Sequence, residues 1–312
     1  MFYYFCNKNS NTKPFAMKKI WTLIALTIFL LNTSHFHIAT DPEYVAEIDA
    51  WHAQRIASLT GENGWLNVVG LYWLKAGENT FGAAKSNDIV FPKGDDRLGS
   101  LFLENGKVRI VANERAEIFA GENKRVAFLT IYDPDAEHSP VVLEHESLRW
   151  YIIKRQDKYG VRLRDLKAEA VKQFEGIKRF PVEDKWRIEA TLEPAEGKTV
   201  DVTNVIGQTR PRHSPGTLVF EIDGETYRLD PVASGDELFV IFGDATNGVE
   251  TYGAGRFLYA AKPDENGKTI LDFNKAYNPP CAFTAFATCP LPPAQNKLSV
   301  EILAGEKSWG EH

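Results

Sequence analysis

The sequence predicts a mainly β protein: an N-terminal helix, a β-sandwich, and a second β-rich part that is a sandwich or a barrel. Two patterns carry this prediction. Short apolar and β-branched runs recur at near-regular spacing from Trp65 to Ala260, and glycine-containing turns separate them, with Asn105-Gly106, Asp223-Gly224 and Asn266-Gly267 the clearest hairpin signals. The composition is 44% apolar and 25% charged, which is globular and argues against a disordered or fibrous chain. Three cysteines in 312 residues are too few for a disulfide scaffold, so a hydrophobic core must carry the fold.

Residues 1–39 read as an upstream extension and export signal. Lys18-Lys19 precede the apolar run Ile20–Leu31, which is shorter than the ~18 residues of a membrane-spanning helix. The basic pair directly follows Met17, the expected start, and an uncleaved anchor is the alternative. If the signal is cleaved, no stable membrane span is expected, and the destination is the periplasm or the exterior. Removing residues 1–39 takes away four lysines and no acid, leaving 32 basic and 42 acidic residues, a charge of −10. That balance suits a soluble exported protein and disfavours nucleic acid.

Asp41-Pro42-Glu43 is a helix start, with Asp as N-cap and Pro in the first turn. Tyr44, Ile48, Trp51, Arg55 and Leu59 share one face up to Gly61, so the helix is expected to pack on the part that follows. Next come β-like runs at Leu66–Leu74, Ile89–Phe91, Leu101–Leu103, Val108–Val111, Ala116–Phe119, Val126–Ile131 and Leu148–Ile153. A short helix is expected in Lys167–Gly176. The second set comprises Trp186–Leu192, Thr199–Val205, Thr217–Ile222, Thr226–Leu229, Leu238–Phe242 and Phe257–Ala260. The expected division is therefore 40–160 for the helix and first sandwich, and 161–312 for the C-terminal β-rich part.

The chain lacks a Walker loop, a dinucleotide fingerprint, a His-Glu-x-x-His motif and a Gly-x-Ser-x-Gly elbow. His138 and His145 are weakly spaced for a metal, so neither a metal nor another cofactor is expected. The segment from Asp244 to Asn296 is the densest in charged and hydrogen-bonding groups. There Arg256 is an expected anion anchor and Asp244 or Asp272 an expected acid/base. Thr246, Tyr252, Asn274, Tyr277 and Asn278 are expected ligand-binding residues around them. A buried Arg–Asp network that merely holds loops together is the competing reading. Strand alternation puts Arg162 and Arg164 on one face, where they bind an anion or form a solvated face; Arg164 is counted among the ligand contacts. Cys281 and Cys289 are expected to pair in an oxidising compartment. A thiolate nucleophile or two buried thiols are the alternatives, and His213 is the sole histidine in residues 146–311 to serve as a base.

Two stretches resemble known families. Leu74-Lys75-Ala76-Gly77, Phe81-Gly82, Asn87-Asp88-Ile89-Val90 and the Leu101–Ile110 hairpin resemble a forkhead-associated β-sandwich. In that family an Arg after the Gly and a downstream Ser and His organise phosphothreonine binding. Here Ala83 follows Gly82 and no Ser-x-x-His occurs nearby, so this resemblance implies the fold alone. Residues 47–307 resemble domain-of-unknown-function family 1684. The resemblance rests on Gly64-Trp65-Leu66, Gly70-Leu71-Tyr72-Trp73-Leu74, Gly77-Glu78-Asn79, Gly160–Asp165, Thr251-Tyr252, Gly255–Leu258 and the block Leu271–Lys307. It implies membership and no reaction. The functional expectation is a small-molecule enzyme, with hydrolysis as one option, or a ligand-binding protein whose partner is an unidentified, anionic small molecule. The alternative is a non-catalytic envelope interaction module.

Overall fold

Asp41 starts the helix as expected. Its carboxylate accepts from the Glu43 N–H at 2.9 Å, Pro42 occupies the first turn, and Gly61 ends it. This helix, α1 (Pro42–Thr60), buries Tyr44, Ile48 and Leu59 in a computed structural model that describes residues 40–121, 124–136 and 141–310. The Lys18–Leu31 signal pattern and His138 lie outside the described residues.

The first β-rich part begins with β1 (Val68–Trp73), β2 (Gly77–Gly82), β3 (Ile89–Val90), β4 (Gly99–Glu104) and β5 (Lys107–Ala112). It continues with β6 (Phe119–Ala120), β7 (Lys124–Arg125), β8 (Phe128–Tyr132), β9 (Leu143–His145), β10 (Leu148–Arg155) and β11 (Lys158–Asp165). These strands form a six-stranded sheet, β1-β11-β10-β9-β6-β7, and a five-stranded sheet, β3-β2-β4-β5-β8. Period-two alternation drives the two together. Trp150, Ile152, Val161 and Leu163 from one sheet share a buried core with Phe81, Leu101 and Ile110 from the other. Trp150 meets Phe81 and Phe91 edge-on at 5.8 and 5.6 Å, a geometry that adds about 0.5–1.5 kcal/mol per pair beyond area burial.

The expected division at residue 160 falls inside β11. That strand is hydrogen-bonded to β1 and β10 along its length, so the first sandwich is complete only at Asp165. After the short helix α2 (Glu169–Lys172) come β12 (Arg187–Pro194), β13 (Thr199–Thr203), β14 (Thr209–His213), β15 (Gly216–Ile222) and β16 (Glu225–Leu229). The last strands are β17 (Val232–Ser234), β18 (Glu237–Phe242), β19 (Arg256–Ala261) and β20 (Lys268–Asp272). The sheets β16-β15-β12-β20 and β17-β18-β19 share a second core through Leu218, Phe220, Val240, Phe242, Leu258 and Leu271. Of the two options for this part, the open sheets are those of a sandwich and not of a closed barrel.

Helix α1 packs on the Trp65–Asn67 turn that follows it, as expected, and on the C-terminal segment as well. Its polar side chains reach past the first sandwich: the Tyr44 hydroxyl donates to Asp272 at 2.7 Å and Arg55 Nη2 donates to the Asn278 carbonyl at 2.9 Å. Leu59 packs with Ile177, Ala282 and Phe283. The sheets of the first sandwich bury their apolar faces against each other, so the helix finds its further apolar surface in the C-terminal segment.

Candidate functional site

The C-terminal polar block is real, and its groups mostly answer one another. Arg256 leaves β19 into the second core, where it is 0% exposed. Its Nη2 pairs with Asp244 Oδ2 at 2.8 Å and donates to the Ile302 carbonyl at 2.9 Å, while Nη1 donates to the Ala304 carbonyl. Asp244 Oδ1 accepts from the Thr246 N–H at 2.9 Å and the Thr246 hydroxyl at 2.5 Å. The Thr246 hydroxyl in turn meets that of Thr251 at 2.7 Å. Burial works against the Arg256 charge and lowers its pKa, with Asp244 opposing that pull. This is the buried ion-pair network that competed with the anchor-and-base reading, and it clamps residues 302–306 to the core.

Asp272, the other expected acid/base, belongs to a different cluster. Its Oδ1 takes the Tyr44 hydroxyl and the Asn274 N–H. Asn274 Nδ2 donates to the Tyr44 oxygen at 3.0 Å and to the Glu183 carbonyl at 3.0 Å. Burial first, then the Asp272 carboxylate, raises the Tyr44 pKa. Asn278 gives its N–H to Glu306 Oε2 at 2.7 Å and its Nδ2 to the Lys307 carbonyl at 2.8 Å, leaving Oδ1 buried without a partner. Arg55 pairs with Glu306 Oε1 at 3.2 Å and lies 4.8 Å over the Tyr277 ring, which also meets Phe257 and Tyr259. Burial raises the Glu306 pKa despite Arg55. Tyr252 sits half-buried on the edge of the helix–loop core, where burial raises its pKa.

The arginine strand is where the arrangement departs most from its expected surroundings. In the β10–β11 hairpin Tyr151 lies opposite Arg162 and Arg149 opposite Arg164, so these side chains share the sheet face turned away from the first core. That face is covered, not solvated: Arg162 is 4% and Arg164 7% exposed. Trp65 lies beneath both guanidiniums, 5.0 Å from Arg162 and 6.0 Å from Arg164. Arg164 Nη1 donates to Asn67 Oδ1 at 2.8 Å and to the Gly64 carbonyl. Both guanidiniums act on the Tyr151 hydroxyl; burial would raise its pKa, but the two cations outweigh burial and lower it. Arg162 Nε and Nη2 and Arg164 Nε are buried without partners. Arg149, on the same face, has Glu144 at 3.0 Å, a counter-ion that the two buried arginines lack.

The cover over this face is the proline-rich loop. The Thr284 hydroxyl donates to the Val68 carbonyl at 2.9 Å, and Arg155 Nε donates to the Thr288 hydroxyl at 2.8 Å. Arg155 also feels Arg162 and Arg210, which, after the larger effect of burial, lower its pKa. With Arg210, Arg212, Asn204, Gln208 and Thr288 it lines a cavity of about 340 Å³. Cys281 and Cys289 sit in this loop as free thiols in contact with each other, the unpaired form of the expected pair. His213 is exposed at the end of β14 and lines a different cavity.

Sequence reasoning missed Trp65, Tyr151, Arg155 and Glu306. Tyr151 and Arg155 had a usable signal: folding residues 148–165 as a hairpin about Gln156-Asp157 puts both on the face of Arg162. Trp65 and Glu306 arrive from distant segments and had none. Among the described residues no group of three His, Cys, Asp or Glu side chains is placed to hold a metal ion, and no helix is long and apolar enough to cross a membrane.

Fold and site define a mainly β protein with a buried arginine face under a cysteine- and proline-rich loop. Residues 172–307 match the family described as Protein of unknown function (DUF1684). Residues 172–307 belong to that family. The chain is also 31% identical to an uncharacterised protein of Haloarcula marismortui solved in solution by NMR, covering 46% of this chain and 82% of that one with a TM-score of 0.39. No curated protein matches.

Proposed function

We propose that this is an exported protein that binds a small anionic molecule on the arginine face of its first sandwich. The observation that carries the reading is Arg162, nine-tenths buried with Nε and Nη2 unpartnered and Tyr151 and Trp65 as its neighbours. A buried guanidinium without a counter-ion is costly, by several kcal/mol at the order-of-magnitude level, and a bound carboxylate, phosphate or sulfate would offset that cost. The Trp65 face supplies part of the compensation but no hydrogen-bond acceptor. Arg155, Arg210 and Arg212 add positive charge beside the cavity in a chain whose formal charge is −6. Export rests on the Lys18-Lys19 pair and the Ile20–Leu31 run.

A second reading, an interaction module with a structural polar network, draws on the Asp244–Arg256 pair, whose two side chains are fully buried. Thermal shift and calorimetry with phosphate, sulfate and succinate distinguish the two. Under the binding reading at least one anion raises the melting temperature, and Arg162→Met abolishes that rise. Ligand at a hundred times its Kd contributes about 2.7 kcal/mol, which is readily seen. No shift with any of the three at millimolar concentration, together with an Arg162→Met variant more stable than the parent, would sink the binding reading.

A further inference from the structure

Cys281 and Cys289 lie eight residues apart in a loop stiffened by Pro279, Pro280, Pro290, Pro292 and Pro293. Each sulfur accepts the other residue's backbone N–H. The Cys281 N–H is 3.0 Å from Cys289 Sγ, and the Cys289 N–H is 3.4 Å from Cys281 Sγ. These reciprocal bonds bring the two sulfurs side by side without a covalent link. The pair is asymmetric in access, because Cys289 is buried and Cys281 is half-buried. It is also asymmetric in charge. The neighbouring Cys289 lowers the Cys281 pKa, burial opposes, and Arg162 helps; the Cys289 thiol is correspondingly pushed up. One sulfur is therefore reachable and favoured for ionisation, and the other is held back next to it.

We propose that Cys281 and Cys289 are a reversible dithiol–disulfide couple that exchanges with small anionic disulfides, Cys281 attacking and Cys289 resolving. The Cys281 thiolate attacks one sulfur of R–S–S–R, forming a mixed disulfide and expelling RS⁻, which takes a proton from solvent. Cys289 then loses its proton to solvent and attacks Cys281 Sγ, closing the intramolecular disulfide and expelling the second RS⁻. The dithiol is oxidised by two electrons and the small disulfide is reduced to two thiols. The preference for an anionic co-reactant rests on the anion-binding reading above, whereas the exchange itself does not.

The test follows the reduced protein by intact mass after adding glutathione disulfide, which is anionic, or cystamine, which is cationic. Wild type is expected to lose two hydrogens through a transient adduct. Cys289→Ser is expected to trap that adduct on Cys281 at least about tenfold faster than Cys281→Ser traps one on Cys289, since exchange follows thiolate character and access. Faster reaction with glutathione disulfide than with cystamine supports the anionic preference. Equal rates with the two reagents overturn that preference and leave the exchange standing. Wild type that stays fully reduced, or equal trapping at the two cysteines, overturns the couple, and the wild-type arm decides this even if a variant misfolds.

Discussion

Truncating Asp244 to alanine would expose the most deeply buried charge of the second core. Its carboxylate accepts from Arg256 Nη2 at 2.8 Å, the Thr246 N–H at 2.9 Å, the Thr246 hydroxyl at 2.5 Å and the Ile302 N–H at 3.3 Å. Both side chains of the ion pair are fully buried. Removing the acid strands the Arg256 charge in a low-dielectric interior, and breaking a buried pair in this way costs about 3–5 kcal/mol. The lost hydrogen bonds belong to that same figure and are not added to it. Arg256→Met should cost less, because a stranded carboxylate can take up a proton while a guanidinium stays charged. The double variant should fall short of the sum of the two singles by about 1–3 kcal/mol. Urea unfolding followed by tryptophan fluorescence, with an unchanged m-value, measures all three. An Asp244→Ala loss below about 1 kcal/mol, or additivity within about 0.5 kcal/mol, would refute a structural clamp.

Three further outcomes follow from the same geometry. Tyr44→Phe removes the hydroxyl that joins α1 to Asp272 and Asn274, and should cost about 1–3 kcal/mol in chemical denaturation, since a charged acceptor loses its donor. Gly255→Ala combines a φ of +91° with a Cβ that would lie 2.5 Å from the Phe242 carbonyl oxygen; a melting temperature within a degree or so of wild type would contradict the clash. Burial lowers the His52 pKa below its ordinary value, and Nδ1 is buried without a partner while Nε2 meets the Ile177 carbonyl at 3.1 Å. The unfolded chain therefore binds the proton more readily, so stability present above about pH 6.5 should decline as pH falls from there toward the folded pKa. His52→Gln should flatten that decline in melting temperatures taken between about pH 7.5 and 5.5.

Much of the fold was legible because it is written locally. The Asp41 cap, the strand alternation of Leu148–Arg155 and the Asp223-Gly224 turn each depend on residues within a few positions of one another. β14 (Thr209–His213) escaped the reading because all five residues are exposed, including Pro211, so no apolar rhythm marks it. It becomes a strand through its pairing with β13, which is a property of two segments and not of one. The candidate site divides in the same way. Alternation put Arg162 and Arg164 on a common face, but whether water or protein covers a face is decided by whatever packs on it, and here the cover comes from more than a hundred residues downstream.

By itself the sequence determined the mainly β class, the capped first helix, the division into two β-rich parts and the residue types gathered in the C-terminal block. Hydrogen-bonding reach and side-chain period act over a few residues, so a linear reading captures them. Only the tertiary structure decided which charges are paired. It seated Arg256 on Asp244 and Tyr44 on Asp272, and it left Arg162 buried without an acid. Electrostatic roles depend on burial and on neighbours far away in sequence, because the same guanidinium is inexpensive in water, costly when alone in a core, and useful where an anion can meet it.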